Sequence, residues 1–309
     1  MMKTPVAFLI FNRPDTTAEV FAAIRQAKPP KLLVVADGPR NDRPGEAEKC
    51  VATRAIIEAV DWECEVIKNY SDTNLGCKKR VSTGIDWVFR QVEEAIILED
   101  DCLPNPTFFN FCEEMLERYR NDNRVMHISG CNYGITGSIV EHSYYFSKMT
   151  GGWGWATWRR AWQWNDVDIT FWPELVKQTE LLRSIFSTNK ELEVRLKNWQ
   201  DVYDGNRDTV WDYSWHLSCI SQGGLSIKPN QNLVSNIGFG VDATHTKSTI
   251  SHLANLQTES MLFPLKHPIF MLYDSGADKR YFQTMYTPGL LNKIILRLKS
   301  GMLSYKKLN

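Results

Sequence analysis

Glu99, Asp100 and Asp101 stand together in EEAIILEDDC, directly after four apolar residues. Three carboxylates within one turn repel each other and lose hydration wherever they are partly covered, and a bound cation relieves both costs. The alternative is a solvated loop running into the helix after Pro104 and Pro106. Three further polar clusters occupy comparable places: Asn12, Arg13 and Asp15 in FNRPD, Asp37 in VVADGPRND, and Asp212 in VWDYSW. Singly, each is more often a cap or turn residue than a catalyst. Together, with three of them following strands of one sheet, they favour an active site. Asp212 lies among aromatic residues that would lower its hydration and raise its basicity, as a general base requires.

Two other stretches could take part. In GGWGWATW, glycines 151, 152 and 154 permit close backbone approach or positive φ, and Trp153, Trp155 and Trp158 offer flat faces of the kind that stack on sugar rings. A tight tryptophan-rich core loop would look the same. His245, in DATHT beside Asp242, could complete a metal shell, although a lone histidine is usually structural. His127 falls within an expected strand and His216 on the helix after Asp212, while His142, His252 and His267 have no neighbours that suggest chemistry.

The elements that must position these residues alternate. Strands are expected at Val6 to Phe11, Leu32 to Ala36, Glu65 to Asn69 and Ala95 to Leu98. Helices are expected over Thr16 to Ala27, Gly45 to Val60 and Lys79 to Val92. This rhythm argues for a mostly parallel sheet with helices on both faces, whose ligands bind at the C-terminal strand ends. A helix over Phe108 to Arg120 and a strand over Val125 to Ser129 follow. Beyond them, helices are expected over Glu174 to Gln200 and Val210 to Gly224, and a strand then loop over Asn232 to Thr246. No GxGxxG follows the first strand and no GxxxxGK[ST] occurs, so phosphate charge would fall to a metal or to Arg and Lys.

Composition narrows the class. With 309 residues, 43% hydrophobic and 23% charged, the chain is long enough for one large α/β domain plus extras. Its 36 acidic and 36 basic residues balance, which gives no overall drive toward nucleic acid. The seven cysteines are odd in number and form no CxxC pair, so reduced thiols of a cytoplasmic protein are expected rather than a disulfide framework or zinc site. MMKTPVAFLIFNRPD reads as a first strand rather than a signal peptide, and no apolar run reaches the ~18 residues of a membrane span. The tail from Pro288 to Asn309 carries five cationic residues and no acids among many Leu and Ile. On a helix, Leu291, Ile294, Ile295, Leu298 and Met302 would form an apolar face suited to anionic lipid headgroups or to packing on the domain.

The order FNRP, VVADG, ILEDDCLPNPTFFNF, GGWGW and WDYSW, spread over roughly residues 5 to 250, resembles the GT-A-fold inverting glycosyltransferases. Among them it is most similar to family 13 N-acetylglucosaminyltransferases and to bacterial family 2-like, hemolysin-like relatives. The resemblance implies a GT-A domain over residues 1–250, with a nucleotide-binding half at about 1–130 and an acceptor half at about 131–250. A C-terminal extension, 251–309, ends in the basic tail. It implies a metal-dependent hexosyl- or N-acetylhexosaminyltransferase that moves a sugar from a nucleotide-diphosphate sugar, UDP favoured, to a glycan or lipid-linked hydroxyl in bacterial surface polysaccharide synthesis.

By the same resemblance Asp101 and His245 would hold the cation, Mn2+ before Mg2+. Asp100 would meet the ribose and Glu99 the donor sugar. Phe11, Asn12, Arg13 and Asp37 would face the nucleotide, and Arg80 stands where a nucleotide-contacting histidine is found in the family. Gly151, Gly152, Trp153, Gly154, Trp155 and Trp211 would border donor and acceptor, and Asp212 would be the catalytic base. The implied location is cytoplasmic, with contact to the inner membrane face through 288–309. The competing readings are a non-catalytic carbohydrate-binding protein that uses the tryptophans and a calcium ion, and a sugar nucleotidyltransferase, whose GTRxxPxT signature is missing.

Overall fold

The computed structural model describes residues 2–239 and 253–286. Its first half follows the expected rhythm: β1 (Val6–Ile10), α1 (Pro14–Ala27), β2 (Lys31–Ala36), α2 (Glu46–Ala55) with a 3-10 turn Ile56–Ala59, β3 (Glu65–Tyr70), α3 (Cys77–Gln91) and β4 (Glu94–Glu99). A short β5 (Cys102–Pro104), α4 (Thr107–Arg118) and β6 (Val125–Ser129) follow. The second half comprises β7 (Tyr144–Ser147), β8 (Trp155–Trp158), α5 (Arg159–Trp162), α6 (Trp172–Leu175), α7 (Thr179–Arg183), α8 (Asn189–Tyr203), α9 (Asp212–Ser221), β9 (Leu225–Pro229), β10 (Val234–Asn236) and α10 (Ser275–Tyr286).

Eight strands form one sheet in the order β3-β2-β1-β4-β8-β6-β9-β7. The β3-β2-β1-β4 part is parallel throughout, and β6 pairs parallel with β9. β8 runs antiparallel between β4 and β6, and β7 antiparallel to β9. This is the α/β class with a mostly parallel central sheet flanked by helices. Alternating strand residues feed two cores, as the period of two demands. Val6, Phe8, Val34, Ile96 and Leu98 pack with α1 and α4. Ala7, Leu9, Val35, Ala95 and Ile97 pack with Val81, Ile85, Val88 and Phe89, the inward stripe of α3. A third apolar cluster joins α6, α8 and α9 through Trp172, Trp199 and Leu217.

Two expectations change. Trp155–Trp158, anticipated as part of a glycine-rich loop, is strand β8 in the middle of the sheet. The single helix over Glu174 to Gln200 is broken into α6, a 3-10 turn, α7 and α8. The break is chemical: Thr188 accepts from Glu191 N (3.1 Å) as the N-cap of α8, which competes with a continuing helix. Residues 253–286 also fold back on the main body. Phe146 bridges Tyr273, and the buried Asp278 accepts from Ser147 Oγ (2.5 Å) and Lys148 N (3.0 Å). His245 and the tail 288–309 lie outside the described residues. Among the described residues no helix is long and apolar enough to cross a membrane, and all seven cysteines are free thiols.

Candidate functional site

Register explains how the first polar clusters meet. β1 and β4 are parallel neighbours with Leu9 opposite Glu99, so the chain leaving β1 and the acids leaving β4 emerge side by side. Phe11 N donates to Asp100 Oδ2 (3.0 Å), and Arg13 Nη1 donates to Asp101 Oδ2 (2.8 Å). The β5–β10 ribbon then covers the pair. Ile237 N donates to Asp101 O (2.8 Å), and Gly238 lies so close over Asp101 and Arg13 that a Cβ there would collide with both side chains.

These strand ends open into a cavity of ≈ 620 Å³. Arg13, Glu99 and Asp101 form one part of its wall, with Gly151, Gly152 and Trp153 beside them. Trp211, Asp212 and Tyr213 come from the start of α9, and Tyr281, Met285 and Tyr286 from α10. Asp212 is exposed, contrary to the desolvated position that its aromatic neighbours suggested. The flanking aromatics turn inward: Trp211 and Trp215 are buried and pack around Trp155.

The glycines fit closely against what lies beneath. A Cβ on Gly151 would come within 2.9 Å of Tyr133 Oη and 3.0 Å of Lys228 Nζ, and one on Gly152 within 3.3 Å of Trp211 Cζ2. Lys228, on β9, is therefore a buried cation directly under this loop. Its Nζ donates to Ser129 Oγ (3.2 Å) and lies over the Tyr133 ring (5.2 Å), and burial pulls its pKa down to about 8.

Charge at the strand ends is unbalanced. Burial, and then Asp101 and Asp100, raise the Glu99 carboxyl above the ordinary range, with Arg13 opposing and Asp212 adding to the rise. Burial likewise raises Asp100, against the pull of Arg13. Arg13 loses hydration on burial, but Asp100, Asp101 and Glu99 outweigh that and fix its charge. One guanidinium thus faces three carboxyl groups. Among the described residues no group of three or more His, Cys, Asp or Glu is placed to hold a metal ion. The oxygen donors that are present, Asp101 and Glu99, suit a hard divalent cation of the kind that takes one or two protein carboxylates and completes its shell with ligand phosphates and water. The residues therefore fit a cation shared with a ligand, which would favour the ionised carboxylates that burial and their mutual repulsion disfavour.

Of the residues singled out in the sequence, Arg13, Glu99, Asp101, Gly151, Gly152, Trp153, Trp211 and Asp212 line this cavity. The others are engaged elsewhere. Asp37 uses both oxygens on four donors, Gly38 N, Asn74 Nδ2, Leu75 N and Gly76 N, and so shapes the loop into α3. Arg80 is buried, donating to Ala36 O (3.1 Å) and to Asn69 Oδ1 (2.7 Å). Asn12 donates to Glu46 Oε1 (2.8 Å), and the Phe11 ring lies under Arg40. Asp100 is buried against the end of β1. Gly154 holds a positive φ of 59° where a Cβ would strike Val234. Trp155 is 0% exposed, stacked between His127 (5.0 Å) and Trp211 (5.5 Å), so no face is open to a sugar.

Sequence reasoning passed over Cys77, Tyr133, Arg195, Arg207, Tyr281, Met285 and Tyr286, all on the cavity wall, and saw His216 only as a helix residue. The one local signal was the spacing of Tyr281 and Met285, four apart on α10, which puts both on one helix face.

No protein-family model and no curated protein matches the chain. Among solved structures it is similar to a mannosyltransferase, PcManGT from Pyrobaculum calidifontis in complex with GDP-Man and Mn2+, at 14% identity and a TM-score of 0.35 over 51% of this chain and 45% of that one. It is similar to HddC from Yersinia pseudotuberculosis complexed with GMP-PN, at 6% identity and a TM-score of 0.31, over 50% and 77%. A UDP-glucose pyrophosphorylase complexed with UDP-glucose gives 12% identity and a TM-score of 0.26, over 53% and 71%. The chain thus spans less than half the length of the mannosyltransferase.

Proposed function

We propose that the protein is a GT-A-type glycosyltransferase that moves a sugar from a nucleotide-diphosphate sugar to an acceptor hydroxyl with inversion. The observation that carries this reading is the cavity itself. It brings together the acids at the C-terminal end of β4, Arg13 after the neighbouring β1, the exposed carboxyl of Asp212 at the start of α9, and the loop of Gly151, Gly152 and Trp153.

Each residue's task follows from its place. Asp101, with Glu99 beside it, would hold a divalent cation, which when bound supplies Lewis-acid stabilisation to the departing diphosphate. Arg13 fixes the Asp101 carboxylate through its 2.8 Å bond and adds positive charge at the same place. Trp153, packed against Tyr133 at 5.1 Å and Phe239 at 5.7 Å, gives a supported aromatic edge for a sugar ring. Gly151 and Gly152 let backbone approach the reacting centre. Asp212, exposed and carboxylate, takes the proton of the attacking hydroxyl.

The test is Asp212→Asn, assayed against a panel of nucleotide sugars. The substitution should leave donor binding within about twofold and lower turnover by roughly 10²–10⁴, the usual contribution of a general base. Unchanged turnover would remove Asp212 from the chemistry. Release of pyrophosphate from a nucleoside triphosphate and a sugar 1-phosphate, with no nucleoside diphosphate formed from any nucleotide sugar, would make the protein a nucleotidyltransferase. Sugar binding with no turnover on any donor would make it a carbohydrate-binding protein.

A further inference from the structure

Where the cavity meets α8 and α9, its charge changes sign. The charged groups that act on Glu99 are chiefly acids, whereas those acting on His216 are Arg195 and Lys228. Arg195 and His216 both line the cavity and are 3% and 4% exposed. Each carries a polar atom with no partner among the described residues: Nε of Arg195 and Nε2 of His216. The Arg195 head is held in place, with Nη1 donating to Tyr286 Oη (3.2 Å), Nη2 directed at Met149 Sδ (3.1 Å) and the guanidinium over the Tyr286 ring at 5.0 Å. Its acidic neighbour Glu191 stands off at 4.0 Å, with Oε1 itself unpartnered. Arg207 adds a second guanidinium at the rim, half-exposed, over the Tyr213 ring and 3.4 Å from Asp201.

A buried guanidinium N–H without an acceptor has lost water without compensation, a cost that an anion entering the cavity would offset, because the arginine fork matches carboxylate and phosphate oxygens. His216 bonds the Lys148 backbone through one nitrogen and, held neutral by burial and by Arg195, keeps the other as a buried acceptor with no donor among the described residues. We infer that the Arg195–Arg207–His216 wall is a subsite for an anionic group, a carboxylate or phosphate next to a hydroxyl, on the molecule that receives the sugar. A uronic acid and a sugar phosphate both have this pattern. The inference rests on the transferase reading only for the role of the bound molecule as acceptor.

The experiment is calorimetric titration of the full chain with methyl β-glucuronide and methyl β-glucoside, and in parallel with UDP and GDP in the presence of Mn2+. The glucuronide should bind about tenfold or more tightly than the glucoside, the scale of one charge-assisted hydrogen bond. Arg195→Met and Arg207→Gln should each abolish that preference and leave nucleotide diphosphate binding within about twofold. Arg207 is at the rim, so Arg207→Gln carries the test should Arg195→Met fail to fold. Equal binding of the two glycosides, or a preference that survives both substitutions, overturns the subsite. Loss of UDP or GDP binding in Arg207→Gln without any glucuronide preference also overturns it, by assigning these cations to the donor diphosphate. A glucuronide preference with no nucleotide binding at all upholds the anion subsite and defeats the transferase reading instead.

Discussion

Two walls of one cavity are built in opposite ways. On the strand-end wall, Glu99 and Asp101 follow a buried strand within three residues and meet Arg13, which follows its parallel neighbour. On the helical wall, Arg195, Arg207 and His216 come from separate segments and converge only through the packing of α8, α9 and α10. The first wall sets three carboxyl groups against one guanidinium, whereas on the second the cations acting on His216 are Arg195 and Lys228. Strand ends collect charge cheaply because neighbouring strands end together. A helical wall must bury long side chains to place theirs, and it stiffens them against aromatic rings as Tyr286 does for Arg195.

Substitutions on each wall test the difference. Asp101→Ala should act on the strand-end wall alone, reducing the mutual enhancement of Mn2+ and nucleoside diphosphate binding by about 10–100-fold. Titrations of each ligand with and without the other will show it, and intact enhancement would mean that the acid wall holds no cation. Arg13→Met leaves the partly buried acids without their guanidinium and should cost about 3 kcal/mol in urea unfolding, part of it recovered by millimolar Mg2+ or Mn2+. A loss that added cation does not reduce would separate the acids from metal binding.

Lys228→Met probes the cationic side through pH. The folded pKa of Lys228 is depressed to about 8 from an ordinary 10.5, so the unfolded chain binds more protons between those values. Its contribution to stability is therefore present above about pH 10.5 and lost as pH falls through 8. The methionine variant should melt higher than the parent at pH 6.5, by on the order of 2 kcal/mol, with the gap closing toward pH 10. A gap that does not vary with pH would mean that Lys228 is charged and compensated in the fold. The smallest effect is expected from Thr188→Ala, which removes the cap that begins α8 and should cost about 1 kcal/mol in thermal unfolding without altering cation binding at Asp101. An altered cation affinity would show that the two walls are coupled.

Residue pattern alone was enough for the α/β class, the first four strands and the helices between them. Continuous apolar runs and a 3.6-residue stripe leave those segments few other ways to bury their surface. It also placed Arg13, Glu99 and Asp101 as candidates, because residues that follow a buried strand emerge at its C-terminal edge, and Asp212 by its aromatic neighbours. It was less informative where a residue's task depends on a distant partner. Asp37 has the type and position of a ligand-binding acid, yet four donors from its own and the following loop fill its oxygens. Trp155 has the surface of a sugar platform, yet β8 inserts antiparallel between β4 and β6 and seals it in the core. Arg195 and His216 look like ordinary helix residues until α8, α9 and α10 close on one another. Local pattern fixes which face of an element is apolar, but which polar atoms are left without partners is decided only when every neighbour is in place, since burial and hydrogen bonding are properties of the packed whole.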